Sequence, residues 1–279
     1  MRKAYYILLV LMILTISCEF HLRPSDSYGE KSELEISRYD RLESTYLTTG
    51  DFSALQQMNT GYPMETRTLI EDVLKLGEVN DPEINSKFLN FYQDTILQSI
   101  VSDVEVEYAN MDDVNKNMSE AFSKLNKLIP DFPMPHIYAQ IGALDQSVVV
   151  GNHSIGISLD KYLGEKYPLY KKFYSVDQRK MMNRQSIVPD CLNFYILSLY
   201  PLKNFETSSQ LERDMHIGKI QWVANHVMKK KVFNNDYVKI VSYYMKNTDT
   251  SIAELLKDNN YSKIISESGI KVKNVQPQP

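Results

Sequence analysis

A predominantly helical α+β domain is what the sequence predicts, on three observations. Apolar residues recur with a 3.6-residue period over most of the chain from Glu33 to Pro130 and again beyond Asp160. Between those halves, over about 136–158, apolar and polar residues alternate with the period of two that a half-buried strand requires. No repeat of fixed period appears. The expectation is a small central β-sheet of two to three strands, about 136–158, flanked by N- and C-terminal helices.

At the N-terminus, Arg2 and Lys3 precede an apolar stretch, Ala4–Ile16. At about 1.5 Å per residue it spans about 20 Å, short of the roughly 30 Å hydrocarbon core of a bilayer. It therefore reads as the core of a signal peptide, residues 1–17, rather than a transmembrane helix. Ser17-Cys18 follows, and a cysteine directly after such a stretch, preceded by a small residue, is where a bacterial lipoprotein signal peptidase cuts. The cysteine then carries the lipid, with palmitate among its acyl chains. Thr15 stands where such signals usually have leucine, and ordinary secretion with cleavage elsewhere is the competing account. Glu19–Ser32 is polar, so residues 18–32 read as lipidated cysteine and flexible tether.

Composition narrows the class. The 279 residues are 43% hydrophobic and 24% charged, which excludes a multi-span membrane protein and wholesale disorder. With 31 basic against 35 acidic residues there is no basic excess for a phosphate backbone, so no nucleic-acid partner is expected. Cys18 as lipid carrier leaves Cys191 as a lone thiol, so stability must come from the core rather than a disulfide. Residues 33–270 are expected to build one domain, with 271–279 as a disordered tail.

Along that domain, Leu34, Tyr39, Leu42 and Tyr46 mark a first helix, and Leu69, Ile70, Val73 and Leu74 a second that stops at Gly77. Asp81-Pro82-Glu83 reads as a helix start, with aspartate as N-cap, and Ile84, Phe88, Phe91 and Tyr92 continue its face. A further segment runs through Ile96, Ile100 and Val101. Asp112–Ile129 repeats the pattern until Pro130 ends it. After the stiff connector Asp131–Pro135, Ile137, Ala139 and Ile141 alternate with His136, Tyr138 and Gln140 as a strand. Val148-Val149-Val150, a Gly151-Asn152 turn signal, and Ile155 and Ile157 give a hairpin. Helices then return: from Val188-Pro189-Asp190 to Leu199, from a Ser208 cap to Lys229-Lys230-Lys231, from Asp236 to Met245, and from the capping box at Ser251–Glu254.

Motifs that carry chemistry are scarce. HExxH, GxSxG, the P-loop and the dinucleotide fingerprint are all missing. His21 falls in the tether, and His216 and His226 lie about 15 Å apart along one helix, too far to share a metal ion. His136 and His153 fall on the expected sheet and could meet, with Asp160 or Asp190 as a third ligand. The plainer account is two histidines at strand ends bonded to backbone or water. Cys191 would be activated at a helix N-terminus if exposed, but its apolar neighbours point to a buried thiol. Lys229–Lys231 fits a charged last helical turn favoured by the helix dipole, with membrane headgroups as the alternative contact.

A collinear series adds a resemblance. Phe132-Pro133-Met134-Pro135, the strand pair, Leu159-Asp160-Lys161-Tyr162-Leu163-Gly164, Tyr167-Pro168-Leu169-Tyr170, Ile187-Val188-Pro189-Asp190, Gly218-Lys219-Ile220 and Ile240–Asn247 occur in this order. Together with Ser37-Arg38-Tyr39-Asp40-Arg41, the series resembles the gliding-motility lipoprotein B (GldB) family of the Bacteroidetes, over about residues 34–270. The resemblance implies an envelope lipoprotein associated with gliding machinery, with relatives in species that do not glide. It brings no established enzymatic activity and no catalytic residues. The family's motif residues here, Asp160, Tyr162, Leu163, Gly164, Pro189, Asp190, Gly218 and Lys219, are expected to be structural. Asp160 is expected to cap a short helix, Tyr162 and Leu163 to pack on the core, and Gly164 to end that helix left-handed. The chain departs from the family where it passes from Lys229–Lys231 almost directly to Asp236, a place where the family carries a much longer stretch.

Two classes of function stay open. One is a non-catalytic accessory or interaction lipoprotein, bound to a membrane through Cys18, facing the periplasm and meeting envelope proteins. The other is a zinc-hydrolase-like protein, active or inactive, or a small-ligand-binding periplasmic lipoprotein with its pocket beside the sheet. No metal or other cofactor is expected.

Overall fold

Ile36–Ser37 (β1) pairs parallel with His136–Gln140 (β2), β2 pairs parallel with Ser154–Ser158 (β4), and Val148–Gly151 (β3) closes the far edge antiparallel to β4. The sheet order is therefore β1-β2-β4-β3. This computed structural model describes residues 34–270. The expected leader (1–17), Cys18, the tether to residue 32 and the tail 271–279 lie outside the described residues. Thirteen α-helices surround the sheet among the described residues, so the domain is α+β and predominantly helical.

Six helices precede β2: Tyr39–Thr49 (α1), Phe52–Gly61 (α2), Pro63–Arg67 (α3), Ile84–Phe91 (α4), Thr95–Glu107 (α5) and Asp112–Leu128 (α6). Asp51 and Asp94 cap α2 and α5 by accepting two backbone N–H groups each. Seven helices follow the sheet: Tyr170–Phe173 (α7), Val176–Lys180 (α8), Ile187–Leu199 (α9), Gln210–Met228 (α10), Asp236–Asn247 (α11), Ile252–Lys257 (α12) and Tyr261–Ser268 (α13). One continuous apolar core joins them, from Ile36 and Tyr39 through Ile137, Ile155 and Leu192 to Ile264. None of the helices is long and apolar enough to cross a membrane, among the described residues.

Several boundaries differ from those the sequence suggests. The first helix does not begin near Leu34, because Ile36–Ser37 is drawn into the sheet and the Ile36 N–H goes to Asn115 Oδ1 at 2.9 Å. Helix α4 begins at Ile84, and Asp81 caps the preceding turn by accepting the Glu83 N–H at 2.8 Å. The hairpin turn is Asn152-His153, since Gly151 still pairs with Ser154 and His153 takes a positive φ of 56°. Ser209, not Ser208, caps α10, in a reciprocal box with Glu212. Lys229–Lys231 is not a last helical turn, because α10 ends at Met228 and Lys229 adopts the left-handed conformation. The short connection after it is templated by one side chain. Asn225 accepts the Val232 and Phe233 N–H groups at 2.9 and 3.0 Å and donates to the Phe233 carbonyl at 2.7 Å.

Helix α10 is the axis of the C-terminal half and packs on α9, α11, α12 and α13. At Gly218 α11 comes close: a Cβ there would lie 2.4 Å from Tyr237 Cβ and 3.0 Å from its carbonyl carbon. Alanine would gain about 1 kcal/mol in helix propensity and lose more to the forced separation of two helices. Gly218→Ala should therefore lower stability by about 2 kcal/mol in urea unfolding, and a variant as stable as the parent would mean that the close approach is not required.

Candidate functional site

Parallel strands bring their carboxyl ends to one edge, which in open sheets is where side chains for chemistry converge. Here β1, β2 and β4 end at Ser37, Gln140 and Ser158, and three buried acids follow: Asp40 and Glu43 on α1, and Asp160 in the 3-10 turn Leu159–Tyr162. Asp40 receives a two-pronged bond from Arg38, at 2.8 and 2.7 Å, and Arg38 also donates to the Tyr108 carbonyl at 2.8 Å. Arg41 donates to the Ala109 carbonyl at 2.8 Å. The Ser37–Arg41 motif thus ties the end of β1 to the end of α5, with Tyr39 in the core.

The other two acids hold backbone. Asp160 accepts the Gly142 N–H at 2.7 Å on one oxygen and the Leu144 N–H on the other. Glu43 Oε2 accepts the Ile141 N–H at 2.8 Å, and the Tyr92 hydroxyl donates to the Ile141 carbonyl at 2.7 Å. The Leu144 carbonyl receives the Tyr174 hydroxyl at 2.7 Å and Lys161 Nζ at 3.2 Å. These bonds fix Ala143 and Leu144 at φ 50° and 64°, which costs a non-glycine residue about 1 kcal/mol or more each. Burial pushes both carboxyls above the ordinary range, Glu43 well above it, while the two amide bonds pull Asp160 back down. Asp160 does not cap the turn it sits in; its carboxylate is committed to the loop after β2 instead. Tyr162 is buried, Leu163 packs against the core, and Gly164 takes φ 108°, a backbone that resists any side chain.

The remaining sequence candidates are scattered. His136 and His153 do meet, the His136 N–H donating to the His153 carbonyl at 2.8 Å. They do so at the starts of β2 and β4, the opposite end of the sheet from Asp160, so Asp160 is not available to them as a third ligand. His136 Nε2 instead faces Glu65 at 3.2 Å. His216 is buried with Nδ1 2.7 Å from the Tyr261 hydroxyl, and His226 stacks on Trp222 at the surface. No three His, Cys, Asp or Glu side chains are grouped to hold a metal ion among the described residues. Cys191 is fully buried and its thiol is pushed well up by burial, then by the adjacent Asp190. Pro189 sits in the first turn of α9, where no N–H is needed.

Lys219 is fully buried without a carboxylate on its Nζ. It donates to the Leu256 and Asp258 carbonyls at 3.2 and 2.8 Å and to Asn259 Oδ1 at 3.4 Å, closing the C-terminal end of α12, and burial lowers it to about 8. Asp190 accepts the Tyr162 hydroxyl at 2.9 Å, joining α9 to the turn after β4. Apart from Glu43 Oε1, which is buried with no partner, the acids and the lysine at the centre of this fold are bound to backbone, to neighbouring side-chain hydroxyls and amides, or to one another. Glu43 and Asp214 escape a reading of motifs. Glu43 betrays itself only as a charged residue on the apolar stripe between Tyr39 and Tyr46. Asp214 binds Gln210 and the Tyr237 hydroxyl at 2.8 Å each.

A family model described as gliding motility protein GldB matches residues 23–234, more than half of the chain, and ends in the turn before α11. No curated protein and no solved structure matches.

Burial raises the Asp190 carboxyl to about 7. Between its ordinary value of 3.8 and about 7, the folded protein keeps a proton that the unfolded chain has released, so stability falls as pH rises through that window. Asp190→Asn retains an oxygen for the Tyr162 hydroxyl and cannot titrate. Its Tm should therefore decline less steeply than the parent's across that range, and superimposable profiles would place the titration elsewhere.

Proposed function

The chain belongs to the gliding motility protein GldB family, and from that premise we propose that it is a palmitate-bearing lipoprotein whose Cys18 holds a non-catalytic accessory domain against the periplasmic face of an envelope membrane. Membership itself makes it a gliding-motility-related lipoprotein of the envelope. Two features of the sequence support the finer reading. The apolar stretch Ala4–Ile16 is too short to anchor by itself, and Ser17-Cys18 follows it directly. Several acyl chains on one cysteine give an anchor that does not exchange on a cellular timescale.

The accessory role rests on one observation: the buried acids at the carboxyl ends of the parallel strands bind the protein's own N–H groups, with Glu43 Oε1 the one oxygen among them that has no partner. Asp160 serves Gly142 and Leu144, and Glu43 serves Ile141. A general acid or base must be free to exchange a proton with substrate. Those at the strand ends are engaged in holding a loop, and the work of the domain falls to its surface, which meets other envelope proteins.

The reading is tested by complementing a deletion strain while labelling with an alkyne-bearing palmitate. The parent should take up label and restore the envelope phenotype. Cys18→Ala should do neither, and His136→Ala with His153→Ala should do both. An unlabelled parent would contradict the lipid anchor. A folded histidine variant that is labelled but behaves as the deletion would contradict the accessory role and place chemistry at the strand starts.

A further inference from the structure

Residues 166–184 invert the charge of the chain. They hold Lys166, Lys171, Lys172, Arg179, Lys180 and Arg184 against one acid, Asp177, in a protein with 31 basic and 35 acidic residues. Most of this stretch folds as a surface hairpin of α7 and α8. Its inner side is fixed, since Tyr170 is buried and the Tyr174 hydroxyl donates to the Leu144 carbonyl at 2.7 Å. Its bend exposes Phe173 by 65% and Val176 by 57%. Single exposed apolar residues mean little. A pair of exposed apolar side chains at one bend, beside lysines, is what an interfacial contact requires.

The basic surface continues past the hairpin. Lys180 and Arg184 line a groove of about 530 Å³ between α6, the start of α9 and the turn after α10, where Lys124 and Lys230 form other walls. Of the acids nearby, Asp113 is taken by Arg184 at 2.6 and 3.1 Å, with Glu107 3.9 Å from the same guanidinium, and Asp177 by Lys180 at 2.7 Å, leaving Glu120 in the groove and Glu165 near Lys180. Lys124, Lys171, Lys172 and Lys230 enter no ion pair among the described residues, so their charge is available.

We propose that this face, led by Phe173 and Val176, docks on the anionic headgroups of the membrane to which the domain is tethered. The proposal rests on the lipid-anchor reading above. The polar sequence Glu19–Ser32 between Cys18 and the domain has the composition of a spacer with a reach of roughly 20 Å, and on the lipid-anchor reading it keeps the domain beside the bilayer at high effective concentration. Once the face comes within a Debye length, about 8 Å at physiological salt, an anionic surface attracts its lysine cluster, and apolar side chains at the bend enter the headgroup layer. Docking fixes which way the rest of the domain faces. The opposite surface is then what envelope partners can reach.

The full lipidated protein, reconstituted in vesicles of phosphatidylcholine alone or with about one quarter phosphatidylglycerol, gives the test through hydrogen exchange. Flotation with both vesicle types reports the anchor, and a protein that floats with neither defeats the anchor reading rather than this one. In a protein that floats, amides of residues 171–181 should exchange at least about fivefold more slowly on the anionic vesicles. That protection should vanish in high salt and in the Lys171→Glu, Lys172→Glu variant, whose side chains are exposed and cost the fold little. Equal exchange on the two vesicle types would overturn the proposal. So would protection by soluble poly-glutamate that anionic vesicles fail to give, which would assign the face to an acidic protein.

Discussion

Leaving β2, the chain must turn through Ile141–Leu144 inside the protein, with backbone N–H groups that no neighbouring strand can receive. Each such group left unmet costs about 1–3 kcal/mol. Two carboxyl groups meet the need, Glu43 for Ile141 and Asp160 for Gly142 and Leu144. The positions of several distant elements follow from it. Helix α1 must lie beneath the end of β2 to deliver Glu43, and the turn after β4 must fold back to deliver Asp160. The Tyr92 hydroxyl just past α4 and the Tyr174 hydroxyl beside α7 close on the carbonyls of the same loop. Replacing either acid with an apolar side chain would strand donors in the core, so the interaction organises the fold more than it stabilises it.

The C-terminal half depends on a second centre of the same kind. Helix α10 is covered by five other helices, α6 among them, so polar residues that would normally face water are buried and each must find a partner. Asp214 takes the Tyr237 hydroxyl, His216 sits against Tyr261, and Lys219 closes α12 through its terminal carbonyls. Gly218, beside Lys219, lets α11 approach closely enough for this network to form. The family-like motifs therefore mark places where chain segments are stitched together.

What could be read from the sequence follows the strength of local signals. The period of two at Ile137–Ile141 and the hairpin around Gly151-Asn152 are visible because one face of each strand is apolar. The short β1 is not, since Ile36-Ser37 offers too few residues for any period and owes its pairing to β2 and Asn115. The cap is misplaced at Ser208 by that reading, although of the two serines only Ser209 stands three residues before a glutamate, Glu212. Asp160 was legible as important and not as to its role, because its partners lie in a loop that no local pattern connects to it. The basic hairpin shows in the sequence as a charge run, but only the fold sets its C-terminal end beside Lys124 and Lys230.

The account stands on the claim that the buried carboxylates serve the protein's own backbone and not a bound molecule. Native-state hydrogen exchange of the Gly142 and Leu144 amides, in the parent and in Asp160→Asn, measures this most directly. The two N–H groups sit on different oxygens of Asp160, and asparagine puts an NH2 donor in place of one of them, so one amide loses its acceptor in this geometry. The account predicts that both amides are strongly protected in the parent, and that at least one loses most of that protection in a variant less stable by about 3 kcal/mol. Unchanged protection and stability in Asp160→Asn, accompanied by loss of the envelope phenotype, would contradict it and return Asp160 to the chemistry of a ligand site.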